Sequence, residues 1–275
     1  MRALLLLIAL FIAMPAHAET AYDRVAKSGT LRCGYMLWPQ MHELDPNTGK
    51  MSGMMVEITE AMAALLGWKV EWAQEVLAGQ QVDALKAGKI DMMCSADGPW
   101  ITMAAAHLNF TRPIFFVPLY LMGRADDTRF TSPESPNSSD ITFSAMDGDT
   151  SLQLAQLRFP KAKLLSLPSS ADPSLLLLNV VDKKADLVIL DGFTAKKIHE
   201  THPRKIVNIW PDPMVVVASS YSLGNGEFDL WQKVNQGLQM LEDRGELGRI
   251  LDRYDPKNEK MLRVQKGWQQ SPQVP

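Results

Sequence analysis

The sequence predicts an α/β protein of two lobes, each a mainly parallel sheet flanked by helices. Three observations carry that expectation. Strand-like and helix-like segments alternate in the order β-α-β-α-β from residue 30 to residue 94. A loop rich in Pro, Ser and Asn at 132–140 interrupts them, and the same order restarts between Ile141 and Asp191. The chain of 275 residues also exceeds the size at which a single core stops growing.

Ahead of the first strand, Arg2, the uncharged apolar run Ala3 to Met14, Pro15 and the small-x-small site Ala16-His17-Ala18 form a cleavable export signal. The apolar run is about twelve residues, short of the ~20 that cross a bilayer. Cleavage after Ala18 is expected, which places the mature chain in a periplasm. Loss of the leader removes Arg2 and no acid, so the formal charge moves from −3 to −4. That mild acidity speaks against nucleic acid and anionic membrane surfaces as partners.

The first block opens with a strand at Thr30 to Tyr35, followed by a turn at Pro46 to Lys50. Helical spacing runs from Val56 to Leu66 and ends at Gly67, a residue suited to a helix C-terminus. A strand at Lys69 to Ala73, a short helix at Val82 to Ala87 stopped by Gly88, and a strand at Ile90 to Cys94 complete the block. The second block reads as strand Ile141 to Ala145, a turn at Met146 to Asp149 and a helix from Ser151. Strand Lys163 to Ser166, helix Pro173 to Val181 and strand Asp186 to Asp191 follow. Phe228, Trp231, Val234, Leu238 and Leu241 then mark an amphipathic helix, and Glu246 to Tyr254 a shorter one. The last twenty residues read as a loosely held tail.

Several stretches together resemble the extracellular solute-binding proteins of the polar amino-acid type, which serve ABC importers. They are Gly29 to Tyr35, Asp45 to Gly53 with Val56-Glu57-Ile58, Leu85 to Asp91, Phe110-Thr111-Arg112-Pro113, Lys184 to Asp191, and Asn235 to Tyr254. The resemblance covers nearly all of the mature chain. It implies the type II periplasmic-binding-protein fold, with two hinge crossovers near 117–122 and 215–219. Lobe 1 would be 19–118 plus 218–275, and lobe 2 would be 119–217. A solute would sit between the lobes at the carboxyl ends of the strands, trapped by hinge closure. The expected partners are a small-molecule solute and an ABC permease or a membrane receptor. The chain is expected to act as a monomer, without cofactor, metal or catalysis.

Strand ends in that fold nominate Tyr35, Trp38, Ser95, Asp97 and Trp100 in lobe 1. Lobe 2 supplies Asp149, Thr150 and Ser151, which open a helix whose free N–H groups favour a carboxylate. It also supplies Asp191, which the resemblance places near a ligand's amino group. Each has a plainer reading beside it. Trp38-Pro39 also suits surface packing, Thr150 suits a helix cap, and Asp97 beside Gly98 suits a turn. Asp191 also suits a cap on the helix that follows, through Phe193 and Thr194.

One departure from the family matters for the ligand. Its amino-acid binders carry an arginine about six residues before the Phe-Ser-x-Pro element, gripping the ligand's α-carboxylate. Here that stretch, Trp100 to His107, has no arginine, and Met103 or Ala104 stands in its place. Apolar groups do not replace a bidentate guanidinium. Arg112 is the nearest substitute, though it reads as a hinge-side surface residue. Three acids and no clear cation would suit an amine-bearing solute caged by aromatic rings. A catalytic alternative also exists, because cyclohexadienyl dehydratases share this fold; they act on a bound carboxylic acid.

The resemblance puts Cys33 and Cys94 in neighbouring strands, in the order 2-1-3, where either a disulfide or two buried thiols fits. The pairs Met54-Met55 and Met92-Met93 read as core rather than as thioether metal ligands. His199 and His202 read as a solvated turn.

Overall fold

The computed structural model describes residues 19–98 and 106–264. The expected export signal, Trp100 and the Met103-Ala104 stretch lie outside the described residues. So does the side chain of Asp97.

In the first half, α1 (Ala21–Ser28) leads into β1 (Thr30–Tyr35). A small hairpin of β2 (Glu43–Leu44) and β3 (Met51–Ser52) precedes α2 (Met54–Leu65). Then come β4 (Lys69–Glu75), α3 (Gln81–Lys86), β5 (Met92–Asp97) and β6 (Leu108–Phe110). The long strand β7 (Phe115–Arg124) carries the chain into the second half. There β8 (Thr142–Met146), α4 (Thr150–Arg158), β9 (Lys163–Leu167), α5 (Ser174–Val181), β10 (Leu187–Asp191) and α6 (Gly192–Thr201) follow in turn. After β11 (Ile206–Asn208), the long strand β12 (Val215–Gly224) returns to the first half. There α7 (Phe228–Asp243), α8 (Glu246–Tyr254) and β13 (Leu262–Arg263) complete the described chain.

The strands form one sheet path, β4-β1-β5-β12-β7-β10-β8-β9. Its outer parts are parallel, β4-β1-β5 on one side and β10-β8-β9 on the other. Its centre is the antiparallel pair β7–β12, from Phe115 opposite Ser219 to Leu119 opposite Val215. Above this pairing β12 joins β5 and β6, and below it β7 joins β10 and β11. The two halves thus share a narrow neck of two strands.

Local chemistry explains the elements. The hydroxyl of Thr20 accepts from Asp23 N–H and the Asp23 carboxylate accepts from Thr20 N–H, a capping box that starts α1. Only Ala21 and Val25 of that helix are buried, so its hydrophobic period was too weak to read. α2 buries Met54, Met55, Ile58 and Met62 in the same core as Leu238 and Leu241 of α7. Met92 and Met93 are both buried, Met92 in that core and Met93 on the other face with Val76 and Ile90. Consecutive strand residues face opposite ways, so both act as packing.

Cys33 in β1 and Cys94 in β5 are bonded, with Cα atoms 5.4 Å apart and both side chains buried. Their strands are paired in parallel, and the two side chains share a face of the sheet. Persistence of such a bond requires an oxidising compartment.

The expectation of a loose tail needs correction as far as Val264. The buried carboxylate of Asp255 accepts from the N–H groups of Glu259, Lys260 and Met261 at 2.9–3.0 Å. Beyond that turn, β13 pairs with β7. Met261 is buried in the first half's core, which anchors the segment.

Candidate functional site

Between the halves lies a cavity of about 140 Å³. The carboxyl ends of β5, β8 and β10 point their following turns at it. The first half contributes Met36, Trp38, Met41, His42, Gln81 and Ser95 to its wall. The second half contributes the turn Gly148 to Ser151 and the strand end Ile189 to Asp191. Val117, Leu119 and Val217 of the neck form part of the apolar floor. Among the described residues of this lining there is no lysine or arginine.

The turn at Asp149 is shaped by its role as an N-cap. Its carboxylate accepts from Ser151 N–H at 2.8 Å, which starts α4. Burial pushes the Asp149 carboxyl above its ordinary range, and the nearby Asp191 carboxylate acts in the same direction. Hydrogen bonds from Ser151 and Thr150 oppose the shift without reversing it. Ser151 is 4 % exposed and its hydroxyl has no hydrogen-bond partner.

Asp191 ends β10 and caps α6. Its Oδ1 accepts from the N–H groups of Phe193 and Thr194 at 2.8 and 2.9 Å. Its Oδ2 accepts from the Thr194 hydroxyl at 2.9 Å and from Trp38 Nε1 at 3.3 Å. A carboxylate has about four acceptor positions, so these contacts occupy its capacity. The plainer reading of Asp191 as a cap is thus the one its contacts show. The bond from Trp38 adds that the residue also ties the two halves together.

Other contacts cross the cleft nearby. Gln40 Nε2 donates to the Phe193 carbonyl at 3.3 Å, and the Lys260 ammonium, which also donates to Gln40 Oε1, lies 4.9 Å from the centre of the Phe193 ring. Gly148 has φ +77°, and a Cβ built there would lie 2.4 Å from the Ala78 carbonyl oxygen. The two backbones therefore meet at a point where only glycine fits.

Of the residues nominated by sequence, Trp38, Ser95, Asp149, Thr150, Ser151 and Asp191 line the cavity. The Ser95 hydroxyl accepts from Met36 N–H at 2.8 Å, leaving its own proton to donate. Tyr35 is a correction: it is absent from the lining, because its ring packs against His42 and Trp72 at 6.5 and 6.2 Å. Arg112 does not enter the site. It bonds Glu242 at 2.5 Å and Gln239 on α7.

Among the lining residues that sequence reasoning missed are the polar residues His42 and Gln81. His42 is 1 % exposed, packs edge-on to Trp72 at 5.4 Å, and has no hydrogen-bond partner at either ring nitrogen. Burial pushes its pKa down to about 3, so the ring is neutral at pH 7. Gln81, in the first turn of α3, is 7 % exposed. Neither had a motif to reveal it. A lone polar residue at a helix start normally reads as solvated, whereas this one is buried beside the cavity. His199 and His202 lie on and after α6; the His202 ring is bonded to the Thr201 hydroxyl at 2.9 Å. Among the described residues no group of three His, Cys, Asp or Glu lies together to hold a metal ion.

A family described as bacterial extracellular solute-binding proteins, family 3, matches residues 31–257. The chain belongs to this family. The family 3 protein is 25% identical over 245 residues to a probable amino-acid ABC transporter-binding protein of Haemophilus influenzae, covering 86% of this chain and 88% of that one. It is 24% identical over 245 residues to cyclohexadienyl dehydratase of Pseudomonas aeruginosa, covering 86% of each. In fold it is similar to an ancestral amino acid-binding protein that is a precursor of cyclohexadienyl dehydratase. That likeness has a TM-score of 0.74 at 22% identity and covers 86% of this chain and 99% of the other. The fold is therefore the type II periplasmic-binding-protein fold expected from the sequence.

Proposed function

We propose that this solute-binding protein captures a small amine-bearing solute between its halves and delivers it to an ABC importer. The observation that carries the amine is the cavity wall, which holds the carboxylates of Asp149 and Asp191 and, among its described residues, no lysine or arginine. An ammonium group beside Asp149 relieves a buried carboxylate that its surroundings otherwise push toward the neutral form. Delivery to an importer is supported by family membership and by the Haemophilus relative's name. The solute is bound without being changed, in keeping with the family's description. The export signal, cleaved after Ala18, and the Cys33–Cys94 bond support action in the periplasm.

A thermal-shift screen of the purified protein tests the reading. Simple amines should raise Tm more than neutral or acidic amino acids do. Stabilisation by glutamate or aspartate alone refutes it. The dehydratase relative makes catalysis the second reading, tested by incubation with a prephenate-like carboxylic acid. The amine reading stands against it, since a carboxylate substrate finds no described cation in the wall.

A further inference from the structure

We infer that Gln81 is a ligand-binding residue that reads a second, uncharged polar group on the solute, so that the solute class is a small amino alcohol or amino amide. This rests on the proposed capture of an amine at Asp149 and adds the other end of the molecule.

The inference starts from hydrogen-bonding capacity that faces the cavity. Gln81 is 7 % exposed and lines the cavity, and its side-chain amide makes no hydrogen bond among the described residues. An amide carries two donor hydrogens and an acceptor oxygen, all of which a solute in the cavity can engage. Its oxygen and nitrogen retain contact with open space, unlike the ring nitrogens of His42, which are shut off from it. The cavity supplies that space, and a solute there supplies a partner.

Position and size narrow the class. Gln81 stands at the start of α3 in the first half, whereas Asp149 stands at the start of α4 in the second. Gly79 and Gly148 bring the two turns together, a Cβ on Gly79 lying 3.3 Å from the Gly148 Cα. One molecule can therefore touch both turns. The volume of about 140 Å³ is close to that of a cavity that takes benzene, which suits roughly six to eight non-hydrogen atoms. A neutral amide pairs with a hydroxyl or another amide. It does not neutralise a carboxylate, so a zwitterion leaves its negative end uncompensated.

Calorimetric titration of the full mature protein with n-propylamine, 2-aminoethanol, glycinamide and glycine tests this. 2-Aminoethanol or glycinamide should bind about tenfold more tightly than n-propylamine, with glycine the weakest. Gln81→Met should bring the preferred compound down to the affinity of n-propylamine and leave n-propylamine within about twofold. Gln81→Glu, well tolerated at a helix start, should instead favour 1,2-diaminoethane over 2-aminoethanol. That reversal reads specificity even if either variant is less stable. Equal binding of n-propylamine and 2-aminoethanol, unchanged in Gln81→Met, overturns the inference and leaves the amine reading intact. Binding of glycine or glutamate with no binding of any amine overturns both.

Discussion

The two walls of the cavity use different chemistry. The wall from the first half is uncharged: Met36, Met41, Trp38, Ser95, Gln81 and a neutral His42. The wall from the second half carries the carboxylates, each at the start of a helix. In the proposed function charge is read by one half and shape by the other, so a complete site exists only when they meet. The two carboxylates also differ. Asp191 accepts four hydrogen bonds, one of them from the opposite half, whereas Asp149 is bonded only within its own turn, by Ser151 N–H at 2.8 Å and by Thr150. The first is structural and the second has capacity left for a ligand.

Four measurements bear on that contrast. The largest effect should come from Asp191→Ala, which uncaps α6 and leaves the buried Thr194 hydroxyl and backbone N–H groups unpaired. A loss of about 2 kcal/mol is expected, lowering the ligand-free Tm by roughly 4–8 °C. An unchanged Tm would return Asp191 to the ligand.

Next comes acid sensitivity of the first wall. His42 has a folded pKa of about 3 against an ordinary value of 6.5, so the unfolded chain binds its proton first. The stability from this group is complete above pH 6.5 and declines as pH falls toward 3. At pH 5 the loss is about 2 kcal/mol. The raised pKa of Asp149 has the opposite sign, stabilising the fold as pH falls through it. Urea denaturation of His42→Gln and the parent at pH 8 and pH 5 isolates the histidine, and equal pH slopes would exclude it.

Trp38→Phe removes the bond to Asp191 across the cleft but keeps an aromatic wall. Ligand affinity should fall about three- to tenfold through faster release, with ligand-free Tm nearly constant. A lowered Tm with unaltered affinity would make the contact structural. Asp149→Asn should likewise change stability little, because asparagine caps a helix as well as aspartate does. Its Tm should stay within about 2 °C while the amine-induced shift disappears. A retained shift would move charge recognition elsewhere.

Much of the fold was legible because its punctuation is strong. Gly67 and Gly88 mark helix ends with φ of +75° and +65°, and the β-α-β-α-β order follows from such stops. α1 was not legible, since its capping box precedes a helix with only two buried residues. The cavity was half legible. Trp38, Ser95, Asp149 and Asp191 were nominated by their places at strand and turn ends. Tyr35 also follows a strand end, but its ring turns to Trp72, a preference set by packing on the neighbouring strand β4. His42 packs on Tyr35 and on Trp72 of the neighbouring strand, and neither its burial nor that of Gln81 shows in the local sequence pattern.

Gly148 has a consequence for how the protein reports what it holds. A single added carbon there would strike the Ala78 carbonyl oxygen, so the position acts as a wedge point between two levers. Any side chain at 148 props the jaws apart, whatever fills them. Delivery to the proposed importer then hangs on one hydrogen atom in place of a methyl group. A bound solute and a transmitted message would become separable by the smallest substitution that protein chemistry offers.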